Sequence, residues 1–129
     1  TLWVDVRGVN NESIARTLEV IKAEAKAVAE SDGVAIEFEM LTADKPVALS
    51  EELAKKAEAI CEAEGIDYLH MNSGAGHDAM HMARLAPTTM IFIPCKEGIS
   101  HNPAEFAKLE DICRAVEVLA KLLESEANE

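Results

Sequence analysis

Residues 88–95 read TTMIFIPC, the most apolar short run in the chain. The run is too short for a typical helix, rich in β-branched and aromatic residues, and apolar at both odd and even positions. That pattern predicts a central strand covered on both faces, which requires helices above and below it. A helical pattern from about Asp78, with Ala79, Met82, Ala83 and Ala86 inward, precedes it and ends at Pro87. After it, Asn102 stands as a cap, Pro103 at the first helical position and Glu105 at the third. This grammar predicts a last helix from about Pro103 to Glu124. Its buried stripe would be Phe106, Leu109, Ile112, Cys113, Val116, Leu119, Ala120 and Leu123.

Three more strands are expected. Leu2, Val4 and Val6 alternate with Trp3, Asp5 and Arg7, VAIEFEML (34–41) alternates again, and IDYLHM (66–71) is a shorter candidate. Between the first two, Asn10 or Asn11 starts a helix carrying Ile14, Leu18, Ile21, Ala25 and Val28, which Gly33 breaks. Ser50 caps another, with Leu53, Ala57, Ile60 and Cys61 inward and Gly65 at its end. The element order is mixed α/β, with a seam in TADKPVALS (42–50). The first strand–helix–strand unit is too small to stand comfortably alone unless its sheet continues elsewhere.

The chain has 129 residues, 49% of them hydrophobic, enough for one modest core. Its formal net charge is -12, opposite in sign to what a phosphate-tracking surface needs, so nucleic acid is not an expected partner. No apolar run approaches the roughly 20 residues of a membrane span. No secretory leader pattern opens the chain. Three cysteines without a CxxC pair suit a reducing, cytoplasmic setting. Cys61 and Cys113 fall on apolar helix faces as core residues, and Cys95 ends a strand. The chain starts at Thr1, so a processed, truncated or partly observed product is an open expectation.

His70, His77, His81 and His101 cluster at loop ends, where α/β sheets present functional groups. SGAG (73–76) permits tight turning beside His77 and could expose amides to an anion, or be a plain turn. His77 and His81 are four apart, but HDAMH lacks the glutamate of HExxH, so a shared metal is the weaker reading and a surface His81 the stronger. Asp78 either caps a helix or orients a neighbouring ring. His70 reads as structural. The loop, cap and proline around His101 direct its ring, yet one imidazole makes no metal site. Arg7 can clamp a carboxylate with two parallel hydrogen bonds, or be a solvated charge.

The run SGAGHDAMHMARLAPTTMIFIPCKEGISHNPAE (73–105), with LWVDVRG (2–8), resembles the C-terminal part of the dinuclear metal-dependent amidohydrolases. That family includes allantoate amidohydrolase and N-carbamoyl-L-amino-acid hydrolase, within a wider aminoacylase and carboxypeptidase-like superfamily. The resemblance implies a partial two-domain fold: residues 1–46 from an inserted α/β dimerisation domain, and 47–129 from the catalytic α/β domain. It implies that His101 ligates metal, His77 contacts substrate and oxyanion, Gly76 borders the pocket, and Arg7 holds the substrate carboxylate. Asn102 and Glu105 resemble residues that keep the ligand loop in shape.

The family's early histidine, bridging aspartate, glutamate pair and junction histidine have no counterpart here. The resemblance therefore implies that the complete enzyme, with two Zn or Mn ions, cleaves a carbamoyl or ureido amide. This chain alone is expected to be inactive and to hold no metal stably. Its expected partners are a carboxylate-bearing substrate, a second copy, or an N-terminal half. A non-catalytic binding or oligomerisation module is the alternative. A mononuclear site of His77, His81, His101 and an acid is a third reading.

Overall fold

The computed structural model describes residues 1–128. Among the described residues four helices form: α1 (Asn11–Asp32), α2 (Glu51–Glu64), α3 (Ala79–Met82) and α4 (Leu109–Ala127), with a 3-10 turn at Lys96–Gly98 before α4. Extended segments join them. Among the described residues no helix is long and apolar enough to cross a membrane.

The first two helices begin and end where their cap residues dictate. The Asn10 side chain accepts hydrogen bonds from the Glu12 and Ser13 amides, and Gly33 closes α1 at φ 67. The Ser50 hydroxyl accepts from the Leu53 amide, and Gly65 closes α2 at φ 64. The Ile66 amide then reaches back to the Cys61 carbonyl at 2.9 Å, satisfying a carbonyl that the helix end would leave unpaired.

The expected sheet is not formed: no strand occurs among the described residues, including 2–7, 34–41, 66–71 and 88–95. A strand has no internal hydrogen bonds and exists only where a neighbour completes its ladder. Among the described residues, neither 2–7 with 34–41 nor 66–71 with 88–95 shares a backbone hydrogen bond. The Ser50 amide donates to the Thr88 carbonyl at 2.8 Å, which ties one extended segment to the start of α2 instead.

Two helices also depart from their expected extents. Regular α-helix at α3 stops at Met82, and turn hydrogen bonds carry the chain on to Ala86. The last helix starts at Leu109, not Pro103, because the Asn102–Glu105 signal is consumed by a local turn. The Asn102 side chain accepts from the Ala104 amide at 2.9 Å, and its carbonyl accepts from the Glu105 amide at 2.9 Å. The Phe106 carbonyl then accepts from the Lys96 amide at 2.7 Å, so the chain leaves the turn extended.

The chain divides into two compact units. One comprises Thr1–Val47 with Asn72–Gly76, the other Ala48–Met71 with the residues from His77 onward. In the second, α2 and α4 pack antiparallel, Lys56 meeting Glu126 at 2.7 Å near one end and Lys121 pairing with Glu64 near the other. Cys61, Val118 and Leu122 are buried. The stripe expected to be buried on α4 is instead exposed: Leu109, Ile112, Val116, Leu119 and Leu123 face solvent, as do Phe106 and Cys113. Helix α4 is apolar on more than one side, and α2 takes the side carrying Val118 and Leu122.

Candidate functional site

His101 sits in a loop whose base is closed by the Lys96–Phe106 hydrogen bond. Its backbone is left-handed, φ 56, and Glu97 (φ 57) and Gly98 (φ 68) share that conformation. For a non-glycine residue this region carries strain and persists only when neighbours hold it. The neighbour here is Glu105, whose carboxylate accepts from the His101 amide at 2.7 Å. In an ordinary capping box the third-position carboxylate reaches the cap residue's own amide. Here it reaches one residue further back, which locks His101. The ring is exposed, with Nδ1 at 3.2 Å from the Ser100 hydroxyl. Asn102 and Glu105 therefore shape the loop that carries His101.

His77 is half-buried, and its ring meets Phe92 edge to face, with centroids 5.7 Å apart and planes at 61°. That geometry suits an aromatic pair. Asp78 stands at the N-cap of α3 in helical conformation, and its side chain makes no capping hydrogen bond. His81 lies exposed on α3. His70 pairs through Nδ1 with Glu58 at 2.5 Å, and the Tyr68 hydroxyl donates to Glu62 at 2.9 Å, so both side chains tie segment 66–71 to α2.

Arg7 lies in the other unit, 63% exposed, with its guanidinium bound on two sides. Nε donates to an Asp5 carboxylate oxygen at 2.8 Å, Nη2 lies 2.6 Å from the same oxygen in an ion pair, and Nη1 donates to the Gly74 carbonyl at 3.1 Å. The hydrogen bond from Arg7 holds the Asp5 carboxyl below its ordinary value and raises the guanidinium in turn. Gly76 belongs to the same unit, and the Ser73 hydroxyl accepts from the Ala75 amide at 3.2 Å to shape that loop. Neither Gly74 nor Gly76 uses a positive φ, so the SGAG turn does not draw on the freedom that its glycines allow.

Among the described residues no three His, Cys, Asp or Glu side chains come together to hold a metal ion. Among the described residues, no side chains are grouped as a two-ion centre needs. The grouping of His77, His81 and His101 with an acid is not formed either. Reading residues singly missed Asp5 and Phe92. The signal for Asp5 was available: on an extended segment, positions two apart share a side. Phe92 lies in a stretch where every residue looked like core, so nothing distinguished it.

Residues 5–125 match Peptidase family M20/M25/M40. An uncharacterised hydrolase of Haemophilus influenzae is 41% identical over 126 residues, covering 98% of this chain and 31% of its own length. The allantoate amidohydrolase of Escherichia coli is 34% identical over 123 residues, covering 95% of this chain and 30% of its own length. An N-carbamoyl-L-amino-acid amidohydrolase of Pseudomonas sp. is 35% identical over 116 residues, 90% of this chain and 28% of its own. Among solved structures, an amidase of the hydantoinase/carbamoylase family from Burkholderia multivorans superposes with TM-score 0.91 at 32% identity. It covers 95% of this chain and 30% of that one. The chain thus spans about 30% of the length of the relatives it matches, and its backbone follows that of the Burkholderia multivorans amidase. Because the match runs from Asp5 to Ser125, nearly end to end, the chain belongs to Peptidase family M20/M25/M40.

Proposed function

We propose that this chain is the C-terminal portion of a metal-dependent amidohydrolase that, when complete, cleaves the carbamoyl or ureido amide of allantoate or an N-carbamoyl-L-amino acid. One observation carries this reading. The matched span takes in Arg7, Gly76, His77 and His101 together, and relatives over that span are named for allantoate and N-carbamoyl amino acid hydrolysis.

The family is metal-dependent, and in the complete enzyme His101 would be one ligand of a pair of Zn or Mn ions, whose chemistry is activation of water. The chain's own residues bind and orient. Arg7 holds the substrate carboxylate, Gly76 borders the substrate, and His77 donates toward the oxygen of the amide under attack. Asp78, Asn102 and Glu105 support the backbone around the two histidines. Residues 1–46 belong to an α/β dimerisation domain and 47–129 to the catalytic domain. Their extended segments become strands of a mixed sheet when partner strands from the rest of the enzyme complete the ladders. The working location is the cytoplasm.

The test has two arms. Purified chain supplied with Zn, Mn or Co is expected to show no hydrolysis of allantoate or N-carbamoyl amino acids. Grafted in place of the matching span of the Escherichia coli allantoate amidohydrolase, it is expected to support turnover that His101→Ala abolishes together with metal content. Turnover by the isolated chain that disappears on His101→Ala overturns the incompleteness. A graft indifferent to His101→Ala overturns the ligand role.

A second reading, a non-catalytic module for binding or oligomerisation, draws support from the exposed apolar side of α4. A graft that folds but never turns over, with a chain that associates tightly by itself, favours it.

A further inference from the structure

We infer that Asp5 is a positioning residue: with the Gly74 carbonyl it holds the Arg7 guanidinium so that the outer Nη1/Nη2 end is presented to a carboxylate. The inference rests on the reading of Arg7 as the carboxylate clamp, and it names what orients that clamp.

A guanidinium carries one proton on Nε and two on each Nη, in one rigid plane. Asp5 accepts from Nε at 2.8 Å, and the same carboxylate oxygen lies 2.6 Å from Nη2 in an ion pair, so Asp5 faces the edge those two nitrogens share. The Gly74 carbonyl takes one proton of Nη1 at 3.1 Å. Among the described residues, at least one proton on Nη1 and one on Nη2 then remain. The outer end of the plane is where two Nη groups can bind the two oxygens of a carboxylate in parallel. The Arg7 side chain is 63% exposed as a whole, so a ligand can reach the guanidinium.

Asp5 and Gly74 approach from different parts of the sequence, which stops the plane from rotating about its long stem. Asp5 also offsets part of the positive charge, so it does not act by adding attraction. Its contribution is pre-organisation: a long side chain that is already ordered loses less freedom when it binds. Asp5 reaches Arg7 because both lie on one side of an extended segment, two residues apart.

The experiment follows the Arg7 side-chain nitrogens by 1H–15N spectroscopy in the full chain, titrated with N-carbamoylglycine. The amide of N-carbamoylglycine, which lacks the carboxylate, is the control. Both Nη signals are expected to move saturably while Nε stays in place, and the control is expected to move neither. Asp5→Asn keeps the shape, removes the charged acceptor, and is expected to weaken binding about three- to tenfold. Asp5→Glu keeps the charge, shifts it by one methylene, and is expected to fall between the two.

Wild-type affinity and an unchanged Nη pattern in both Asp5 variants overturn the positioning role and leave the clamp intact. Equal binding of the control, or binding unaffected by Arg7→Lys, overturns the clamp itself. A wild type whose Nη signals never move with N-carbamoylglycine overturns both. If Asp5→Asn does not fold, Asp5→Glu still decides: affinity equal to wild type counts against the role.

Discussion

The strained backbone of His101 and the carboxylate that holds it form one device. Glu105→Ala removes the acceptor of the His101 amide, and is expected to cost about 1 kcal/mol or less because the bond is exposed. Hydrogen exchange should show the His101 amide losing protection first; unchanged exchange would mean that the loop is held elsewhere. Asp5 carries a pH dependence whose sign follows from its lowered folded value. The stability it contributes is present above the ordinary aspartate value of 3.8 and is lost as pH falls through the lower folded one. A carboxyl-carbon NMR titration checks this, and Arg7→Ala should return Asp5 to the ordinary range. In a graft that turns over, Arg7→Lys is expected to raise KM about 10- to 100-fold with little change in kcat, since a point charge replaces a fork.

Helix ends and helix faces behave differently under substitution. Gly65 closes α2 at φ 64 with open space around it, so Gly65→Ala is expected to cost about 1 kcal/mol through backbone strain alone. Gly74 has ordinary φ and equally open space, so Gly74→Ala should be nearly neutral in the same thermal melt. On α4, Leu122→Ala opens the packed side and is expected to cost about 2–3 kcal/mol, whereas Leu119→Ala on the exposed side should change stability by less than about 0.5 kcal/mol. Equal losses would mean that both sides of α4 are packed. The caps of α1 and α2 were legible because Asn10, Gly33, Ser50 and Gly65 act on amides and carbonyls within a few residues. The face of α4 was not, because several apolar stripes run along it and only its partner chooses among them.

Across the full chain the notable quantity is apolar surface left in water: Leu2, Trp3, Leu69, Leu85 and Leu109 are all more than 70% exposed. Such surface favours association. Size-exclusion chromatography with light scattering is expected to show mass rising with concentration. A monodisperse monomer over a wide range would contradict this. The same experiment in the graft should lose the concentration dependence if the enzyme's remaining residues cover these side chains.

The amphipathic helices α1 and α2, their caps and the presence of a local signal at Asn102–Glu105 could all be read from residue order, as could the runs around His77 and His101 that resemble the family. Each depends on chemistry within a few positions. The outcome of that signal, read as a helix start, could not: Asn102 and Glu105 close a loop instead, and the Lys96 amide binds the Phe106 carbonyl. Neither could the missing sheet, since TTMIFIPC has every property of a strand except a neighbour, and pairing is a relation between segments. The Arg7–Gly74 bond is of the same kind, joining groups that only folding brings together.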